Sequence, residues 1–174
     1  MNYLGIDKVS INNGPGVRVV LWVSGCTVCC EGCQNPESWN FNAGKLFDED
    51  AQKELYNALK KPYIKGITFS GGDPLNDYNI MDMWRLIGII KRMHKDKNIW
   101  LYTGQVWEDI MSDNKNDIVD KIKKDILVKC DVVVDGPYIE EQRDITLKFR
   151  GSKNQRLINV QETLKQGEII TIQN

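Results

Sequence analysis

Histidine is the reactive residue that this sequence has least of, because His94 is the single histidine among 174 residues. It stands beside lysines near the end of a predicted helix, where we expect a solvated side chain. Catalysis by a Ser–His or Cys–His pair requires a histidine next to the nucleophile. The sequence therefore argues against both of these kinds of catalysis.

The chain also lacks an excess of charge and a long apolar run. Its formal net charge at pH 7 is −1, so no basic face indicates a nucleic-acid partner. No apolar stretch approaches the roughly 20 residues that a membrane-spanning helix needs, and the sequence from Met1 onward shows no secretory hydrophobic region. We therefore expect a single domain, residues 1–174, located in the cytoplasm and without nucleic-acid or membrane partners.

Cysteine, by contrast, is concentrated in one place. Four of the five cysteines fall between Cys26 and Cys33. This run divides either into two CxxC pairs or into a C-x3-C-x2-C set that omits Cys29. The second division supplies three thiolates, one fewer than a four-iron cluster normally takes. It would leave one iron with an open coordination position, which is typical of a reactive metal site.

Other interpretations of the cysteines stay open at this point. The odd number of cysteines and the missing secretory region disfavour a disulfide framework. A structural zinc site usually has two ligand pairs separated by a connecting span, so this short run suits zinc poorly. A saturated electron-transfer cluster would need the adjacent Cys29 and Cys30 to point the same way, which most backbone geometries prevent. Cys130 opens an apolar strand and is expected to be a small buried hydrophobic residue.

Strand and helix patterns alternate along the chain. The predicted strands are 17–23, 64–70, 99–103 and 130–135, with shorter ones at 156–160 and 168–172. The predicted helices are 48–60, a strongly amphipathic stretch from about 77 to 90, and a segment within 107–126. Alternating βα units favour parallel strands with right-handed crossovers. A closed eight-unit barrel takes about 250 residues, so the sequence predicts an α/β fold in the form of an open, partial (β/α) barrel.

The turns that end the four longer strands are expected to lie on one side of the sheet. They are the cysteine loop, Ser70-Gly71-Gly72, Thr103-Gly104 and Asp135-Gly136. Ligands of parallel folds gather beyond the carboxyl ends of the strands. Glycines there allow the backbone to approach a ligand closely. Asp135, in contrast, is more typical of a helix cap or a turn than of a ligand.

Six stretches of the sequence, in this order, resemble a known family. They are GPGVR at 14–18, SGC at 24–26, CEGCQNPESW at 30–39, FSGGDPL at 69–75, VDGPY at 134–138 and FRGSKNQR at 149–156. Together they resemble the activating proteins of anaerobic ribonucleoside-triphosphate reductase, within the radical S-adenosylmethionine superfamily. The resemblance covers nearly the whole chain. Gln34 departs from it, because many relatives carry an aromatic residue there, and Asn13 stands where they often carry Asp.

The resemblance implies a radical S-adenosylmethionine fold with two cofactors. A [4Fe-4S] cluster would be ligated by Cys26, Cys30 and Cys33, at a loop spanning residues 26–33. S-adenosylmethionine would lie against two short segments whose members are Gly32, Cys33, Gln34, Ser70, Gly71, Gly72 and Asp73. The resemblance assigns no ligand role to Cys29.

The same resemblance implies an activity and partners. The protein would be an oxidoreductase that reductively cleaves S-adenosylmethionine and leaves a glycyl radical on the reductase, like the activase of formate C-acetyltransferase. No catalytic side chain is expected, because the cluster and the cofactor carry the chemistry. The implied partners are the reductase, an electron donor such as flavodoxin, and a second copy of the chain. The alternatives are activation of another glycyl-radical enzyme such as pyruvate formate-lyase, radical chemistry on a small molecule, and a non-catalytic metal-binding module.

Overall fold

The computed structural model describes residues 1–112 and 117–173, which form an α/β fold around one mixed sheet. The strands are β1 (Asn2–Ser10), β2 (Val17–Val23), β3 (Lys45–Leu46), β4 (Ile64–Gly71), β5 (Asn98–Tyr102), β6 (Val132–Asp135) and β7 (Arg156–Asn159). The helices are α1 (Glu49–Leu59), α2 (Ile80–Met93), α3 (Trp107–Met111), α4 (Ile118–Lys129) and α5 (Val160–Gln166). Short 3-10 turns occur at Pro36–Trp39 and Glu140–Gln142.

The seven strands lie in the order β3-β1-β2-β4-β5-β6-β7. The four at the centre, β2, β4, β5 and β6, are parallel, which confirms the predicted arrangement there. The connections β2 to β4, β4 to β5 and β5 to β6 each contain a helix, as parallel neighbours require. The carboxyl ends of these strands therefore meet at one edge, as the sequence predicts.

The outer strands correct the prediction of a parallel sheet. β1 pairs antiparallel with both β2 and β3, and β7 pairs antiparallel with β6. The reason is the connections: β1 reaches β2 through six residues, 11–16, and residues 136–155 between β6 and β7, all of them described, contain no α-helix. The predicted strand at 168–172 is also absent from the described chain, where only an isolated bridge joins Thr171 to Ile158.

The helices agree better with the sequence pattern. Helix α1 begins where Asp48 caps it, with the Asp48 carboxylate accepting from the N–H groups of Asp50 and Ala51. Helix α2 begins at Ile80 rather than at 77, because residues 76–79 form turns. The expectation of a solvated His94 just after this helix was wrong, because its ring is buried and stacks on Tyr56. The helical pattern predicted within 107–126 corresponds to α3 and α4, and its part at 113–116 lies outside the described residues. No helix in either described range is long and apolar enough to cross a membrane.

The two faces of the sheet are packed differently. The helix-covered face carries the larger core, in which Val19, Phe69 and Leu101 of the sheet pack with residues of all five helices. The helix-free face carries a small apolar cluster of Trp100, Val132, Val134 and Leu157. Because side chains alternate along a strand, every second residue of β2, β4 and β5 belongs to the helix-free face. This face leads to the carboxyl edge of the sheet, where the predicted site residues lie.

Candidate functional site

The cysteine loop follows β2 and is fastened at its base by backbone hydrogen bonds. The N–H of Gly25 donates to the Ser38 carbonyl at 2.7 Å, and the N–H of Cys26 donates to the Trp39 carbonyl at 3.2 Å. Both acceptors belong to the 3-10 turn that follows the loop. Its entry and exit are therefore held together, and the segment between them projects from the carboxyl edge of the sheet.

The three predicted ligands differ from the other two cysteines in their surroundings. Cys26, Cys30 and Cys33 are half-buried, Cys29 is exposed, and Cys130 is buried in the core under the helices. The Cys29 thiol points back to the Cys26 carbonyl at 3.6 Å. The location of Cys130 fits the prediction that it is a small buried hydrophobic residue.

The sulfur atoms of Cys26, Cys30 and Cys33 are the candidate ligands of an iron–sulfur cluster. Within residues 1–112 and 117–173, no three His, Cys, Asp or Glu side chains surround a single metal-ion position. A four-iron cluster does not require such convergence, because each thiolate binds its own iron. An arrangement of three separate thiolates is therefore compatible with such a cluster.

Backbone N–H groups are directed at each of the three sulfur atoms. Burial raises the pKa of the Cys26 and Cys30 thiols, but N–H groups of Val28 and Cys29 lower that of Cys26, and an N–H of Tyr138 lowers that of Cys30. The Asn35 N–H donates to the Cys33 sulfur at 3.4 Å. Such bonds stabilise thiolates, the form that binds iron. The donor set therefore fits a cluster.

The Gly71-Gly72 turn packs directly against the base of the cysteine loop. The Gly72 N–H donates to the Val23 carbonyl at 2.7 Å, and the next N–H, of Asp73, donates to the Gly25 carbonyl at 2.9 Å. A Cβ atom at Gly72 would lie 2.5 Å from the Gly25 oxygen. Close backbone approach was expected at this turn for the sake of a cofactor. In the structure, the group that approaches is the neighbouring loop.

Asp73 turns its carboxylate into the protein. The Thr103 hydroxyl donates to it at 2.9 Å, and the Leu75 N–H donates at the same distance. A longer bond of 3.4 Å comes from Gln105 Nε2. Burial raises the pKa of Asp73, while these hydrogen bonds oppose the rise. Asp73 thus joins the loops that follow β4 and β5, and its contact with a cofactor stays a prediction.

Two asparagines that sequence reasoning missed hold the cysteine loop to the start of α2. Asn79 Nδ2 donates to the Ser24 carbonyl at 2.9 Å and to the Asp73 carbonyl at 3.1 Å. Asn76 Nδ2 donates to Thr27 Oγ1 at 3.0 Å. Both side chains are almost fully buried. In the sequence, their place just before an amphipathic helix indicates only turn or capping residues.

Asp135 acts as the helix-capping residue that its position suggested. Its Oδ2 accepts from the N–H of Trp107, the first residue of α3, at 2.9 Å. Its Oδ1 accepts from Arg156 Nε at 3.0 Å, and Arg156 also reaches Glu108 at 2.6 Å and 2.8 Å. The end of β6 is therefore fastened to both α3 and β7, and Asp135 is fully engaged in doing so.

A cavity of about 500 Å³ opens on the helix-free face beside the cysteine loop. Its floor consists of Trp22, Ser70 and Tyr102, one from each of three parallel strands. Gln34 and Asn35 border it on the side of the cysteine loop. Of the seven predicted cofactor-binding residues, Gln34 and Ser70 line this cavity. Gly32 and Cys33 lie in the adjoining cysteine loop, and Gly71 and Gly72 lie at the end of β4 and just after it. Asp73 lines a separate cavity of about 290 Å³.

The segment 138–155 forms the outer wall of the larger cavity and connects two of the stretches that carry the family resemblance. The Tyr102 hydroxyl donates to the Phe149 carbonyl at 2.7 Å, and Asn154 Nδ2 donates to the Pro137 carbonyl at 2.7 Å. Tyr138 donates to Glu140 at 2.6 Å, a bond that raises the pKa of Tyr138. This wall is therefore anchored both to the sheet and within itself.

The wall also touches the cysteine loop. A Cβ atom at Gly32 would overlap Glu140 Oε2, and one at Gly151 would lie 2.7 Å from Gln34 Nε2. The stretches around residues 30–39, 134–138 and 149–156 are thus brought to one place. Sequence reasoning indicated the first two as site segments through their position after strands, but the third had no such signal apart from the resemblance.

Comparison with known proteins extends over most of the chain. Residues 12–158 match the family model described as a 4Fe-4S single cluster domain. The chain is 43% identical over 157 residues to the anaerobic ribonucleoside-triphosphate reductase-activating protein of Haemophilus influenzae, covering 89% of this chain and 96% of that protein. The protein of the same name from Enterobacteria phage T4 is 41% identical, with 90% and 93% covered. That of Escherichia coli (strain K12) is 36% identical, with 89% and 96% covered.

Proposed function

Since this chain belongs to the family of anaerobic ribonucleoside-triphosphate reductase-activating proteins, we propose that it activates such a reductase by generating a glycyl radical on the larger chain. The names of its relatives favour this target over pyruvate formate-lyase, so the comparison with the activase of formate C-acetyltransferase is set aside. They also favour an enzyme over a non-catalytic metal-binding module. The proposed protein substrate is the reductase itself.

The proposed cofactors are a [4Fe-4S] cluster on Cys26, Cys30 and Cys33 and S-adenosylmethionine beside it. When bound, they would supply the one-electron chemistry that removes a hydrogen atom from a glycine. Support for the cluster comes from the matched 4Fe-4S domain and from the N–H groups directed at the three sulfurs. S-adenosylmethionine is proposed from the resemblance, with Gly32, Cys33 and Gln34 on one side, and Ser70, Gly71, Gly72 and Asp73 on the other.

The observation that carries the proposal is the position of the cavity. It lies on the helix-free face of parallel strands, directly against Gln34 and Asn35 at the end of the cysteine loop. A group held at that loop would face the cavity, and the wall 138–155 would limit the access of water to it. This arrangement supports a radical S-adenosylmethionine fold in which the helix-free face is the inside of an open, partial barrel formed by one domain.

The side chains of this protein would hold the site loops in position rather than take part in the reaction. Asn76 and Asn79 fix the cysteine loop against α2, and Asp73 fixes the Gly71-Gly72 turn against the loop after β5. No catalytic acid or base is proposed. We also propose an external electron donor such as flavodoxin, a homodimer and a cytoplasmic location, all three on the resemblance.

The test begins with anaerobic purification and reconstitution with iron and sulfide. About four irons per chain are expected, with a paramagnetic signal after reduction that changes when S-adenosylmethionine is added. Incubation with the cognate reductase should then give a persistent glycyl radical on the reductase chain. Formation of 5′-deoxyadenosine while the reductase stays radical-free would favour a small-molecule substrate. A protein that binds zinc and cleaves no cofactor would favour the binding module.

A further inference from the structure

Lys123 is a lysine of α4 that the structure places beside the candidate site, although no sequence motif indicated it. Its ammonium group donates to Gln105 Oε1 at 3.2 Å and lies 2.6 Å from Asp77 Oδ1. The side chain of Lys123 is 13% exposed. Lysines are rarely buried this far unless their charge is paired, so these two contacts define where the ammonium group acts.

The carboxamide of Gln105 has one orientation that suits its neighbours. Its Oε1 accepts from Lys123, whereas its Nε2 donates to the Leu75 carbonyl at 2.9 Å and to Asp73 Oδ2 at 3.4 Å. A carboxamide turned the other way would direct its oxygen at two acceptors and its NH2 group at a cation. Lys123 therefore determines which end of Gln105 meets Asp73.

The main chain of Gln105 is fixed separately from its side chain. Its N–H donates to Thr103 Oγ1 at 3.1 Å, and its carbonyl accepts from the Gly136 N–H at 3.0 Å. The fold thus holds the backbone of Gln105 between the loops that follow β5 and β6. The contact with Lys123 acts on what remains, which is the direction of the Gln105 side chain.

Asp73 receives the other end of the Gln105 carboxamide. Its side chain is buried, which raises the pKa of its carboxyl, and the positive charge of Lys123 is among the effects that oppose the rise. A buried carboxylate is costly unless hydrogen bonds and nearby charge compensate it. Asp73 directly follows the Gly71-Gly72 turn, and its N–H donates to the Gly25 carbonyl at 2.9 Å. The contacts therefore extend from α4 through Gln105 to this turn.

We propose that Lys123 is a positioning residue, which acts through Gln105 and Asp73 to hold the Gly71-Gly72 turn in the conformation that binds S-adenosylmethionine. The inference rests on the proposed function, which assigns this turn to the cofactor. The ion pair of Lys123 with Asp77 is secondary, because the Asp77 side chain is 65% exposed and exposed pairs contribute little. The bond to Gln105 is the contact through which Lys123 reaches the site.

The first test uses the apo protein and needs neither cluster nor cofactor. The Leu75 N–H donates to Asp73 Oδ1 at 2.9 Å, so its hydrogen-exchange rate, measured by NMR, reports on the position of that carboxylate. Lys123→Met keeps the length of the side chain and removes its charge. It should speed exchange at Leu75 about tenfold while exchange at Ile87 in α2 stays unchanged. Unchanged exchange at Leu75 would overturn the inference, and so would equal acceleration at both residues, which would indicate general destabilisation.

The second test measures cofactor binding by the reconstituted full-length protein. The readout is the S-adenosylmethionine concentration that gives half of the change in the paramagnetic signal of the reduced cluster. Lys123→Met should raise it about tenfold at unchanged iron content, whereas Lys123→Arg, which keeps a charged donor, should raise it less than about threefold. Lys121→Met, on the exposed surface of α4, is the control and should change neither quantity. A Lys123→Met protein that behaves like Lys121→Met contradicts the inference.

A cycle of two substitutions tests the route through Gln105. Gln105→Met should raise the half-saturating concentration about tenfold by itself, and adding Lys123→Met should raise it less than about threefold further, because both changes remove the same contact. A loss of about a hundredfold in the double variant would show that the two residues act independently, and would overturn the inference. A wild-type protein whose cluster does not respond to S-adenosylmethionine contradicts the proposed function instead, and the exchange test then still decides whether Lys123 positions Asp73.

Discussion

The helix-covered and helix-free faces of the sheet are formed by the same strands but have different roles. On the helix-covered face, Val19, Leu21 and Val23 of β2 are fully buried among helix side chains. On the helix-free face, the alternate residues of the same strand include Arg18 and Trp22, and the latter lines the cavity. Because successive side chains of a strand point to opposite faces, one face of the sheet forms the apolar core and the other lines a polar cavity.

Arg18 shows how far the helix-free face departs from an ordinary core. Its guanidinium is fully buried and donates to Thr68 at 2.8 Å, to Asn98 Oδ1 at 2.6 Å and to the Ile67 carbonyl at 2.7 Å, with the Trp100 ring 5.3 Å away. Burial lowers the pKa of Arg18 to about 10. Neutral acceptors and an aromatic face therefore stabilise this cation. A polar interior of this kind accepts hydrogen-bonding side chains that the opposite core would exclude.

The largest expected effect distinguishes the three predicted ligand cysteines from the other two cysteines of the chain. Replacement of Cys26, Cys30 or Cys33 by serine should abolish the cluster, because each removes one of three thiolates. Cys29→Ser and Cys130→Ser should retain it, since the Cys29 side chain is exposed within the loop and that of Cys130 is buried under the helices. Iron analysis and paramagnetic resonance of the reduced proteins measure the outcome. A cluster that survives loss of one of the three but not loss of Cys29 would show that the ligands are assigned wrongly.

The next largest effect is the loss of stability when a side chain of the core under the helices is truncated. Ile87 is fully buried in α2 against the sheet, so Ile87→Ala should lower the free energy of unfolding by about 2–5 kcal/mol. Tyr102→Phe, on the helix-free face, removes only the bond to the Phe149 carbonyl and should cost about 0.5–1.5 kcal/mol. Urea denaturation of the apo proteins gives both values. Equal losses would mean that the two faces contribute alike to stability.

A glycine pair tests the contact between the two site loops. Gly72→Ala should lower stability by about 1–3 kcal/mol and reduce the iron content, because the added Cβ would push the Gly25 carbonyl and the cysteine loop away. Gly88→Ala in α2 is the control, since nothing lies within 4 Å of its added Cβ. It should stabilise the protein by about 0.5–1 kcal/mol. Full iron content in Gly72→Ala would indicate that the loops move independently.

The sequence predicted local features of the fold, but not those that depend on contacts between distant residues. The β-branched run of β2, the Asp48 cap and the amphipathic α2 are local patterns, and all three are present in the structure. The edge strands were missed or given the wrong direction, because pairing direction depends on the connections rather than on the residues of a strand. The strand pattern alone also could not show that Gly72 faces Gly25, since that contact joins two separate loops.

The candidate site shows the same difference between local features and long-range contacts. The cysteine spacing and the position of the turns after strands located its segments without a structure. The roles of Asn76, Asn79 and the 138–155 wall depend on contacts between distant residues, such as Asn79 with Ser24 and Tyr102 with Phe149. Sequence reasoning placed Asp73 among cofactor residues because of its motif, but could not reveal its bonds to Thr103 and Leu75.

The smallest expected effect is a pH-dependent one at the end of the sheet, outside both the cavity and the core. Hydrogen bonds from Arg156 lower the pKa of Glu108 below its usual 4.5. A carboxyl whose pKa is lower in the folded protein contributes stability above the pKa of the unfolded chain and loses it as the pH falls through the folded value. Glu108→Gln should therefore lower stability at pH 7 by less than about 1 kcal/mol, since the pair is partly exposed.

The same reasoning predicts that the difference between wild type and Glu108→Gln disappears in acid. Urea midpoints of the two apo proteins, measured at pH 7 and at pH 3, should differ at the first and converge at the second. Arg156 keeps its bond to Asp135 in the variant, so the attachment of β7 to β6 should persist. A difference in urea midpoint that stayed constant with pH would contradict the role of the ion pair. It would indicate instead that Glu108 stabilises the protein through packing of α3, as residues of the helix-covered core do.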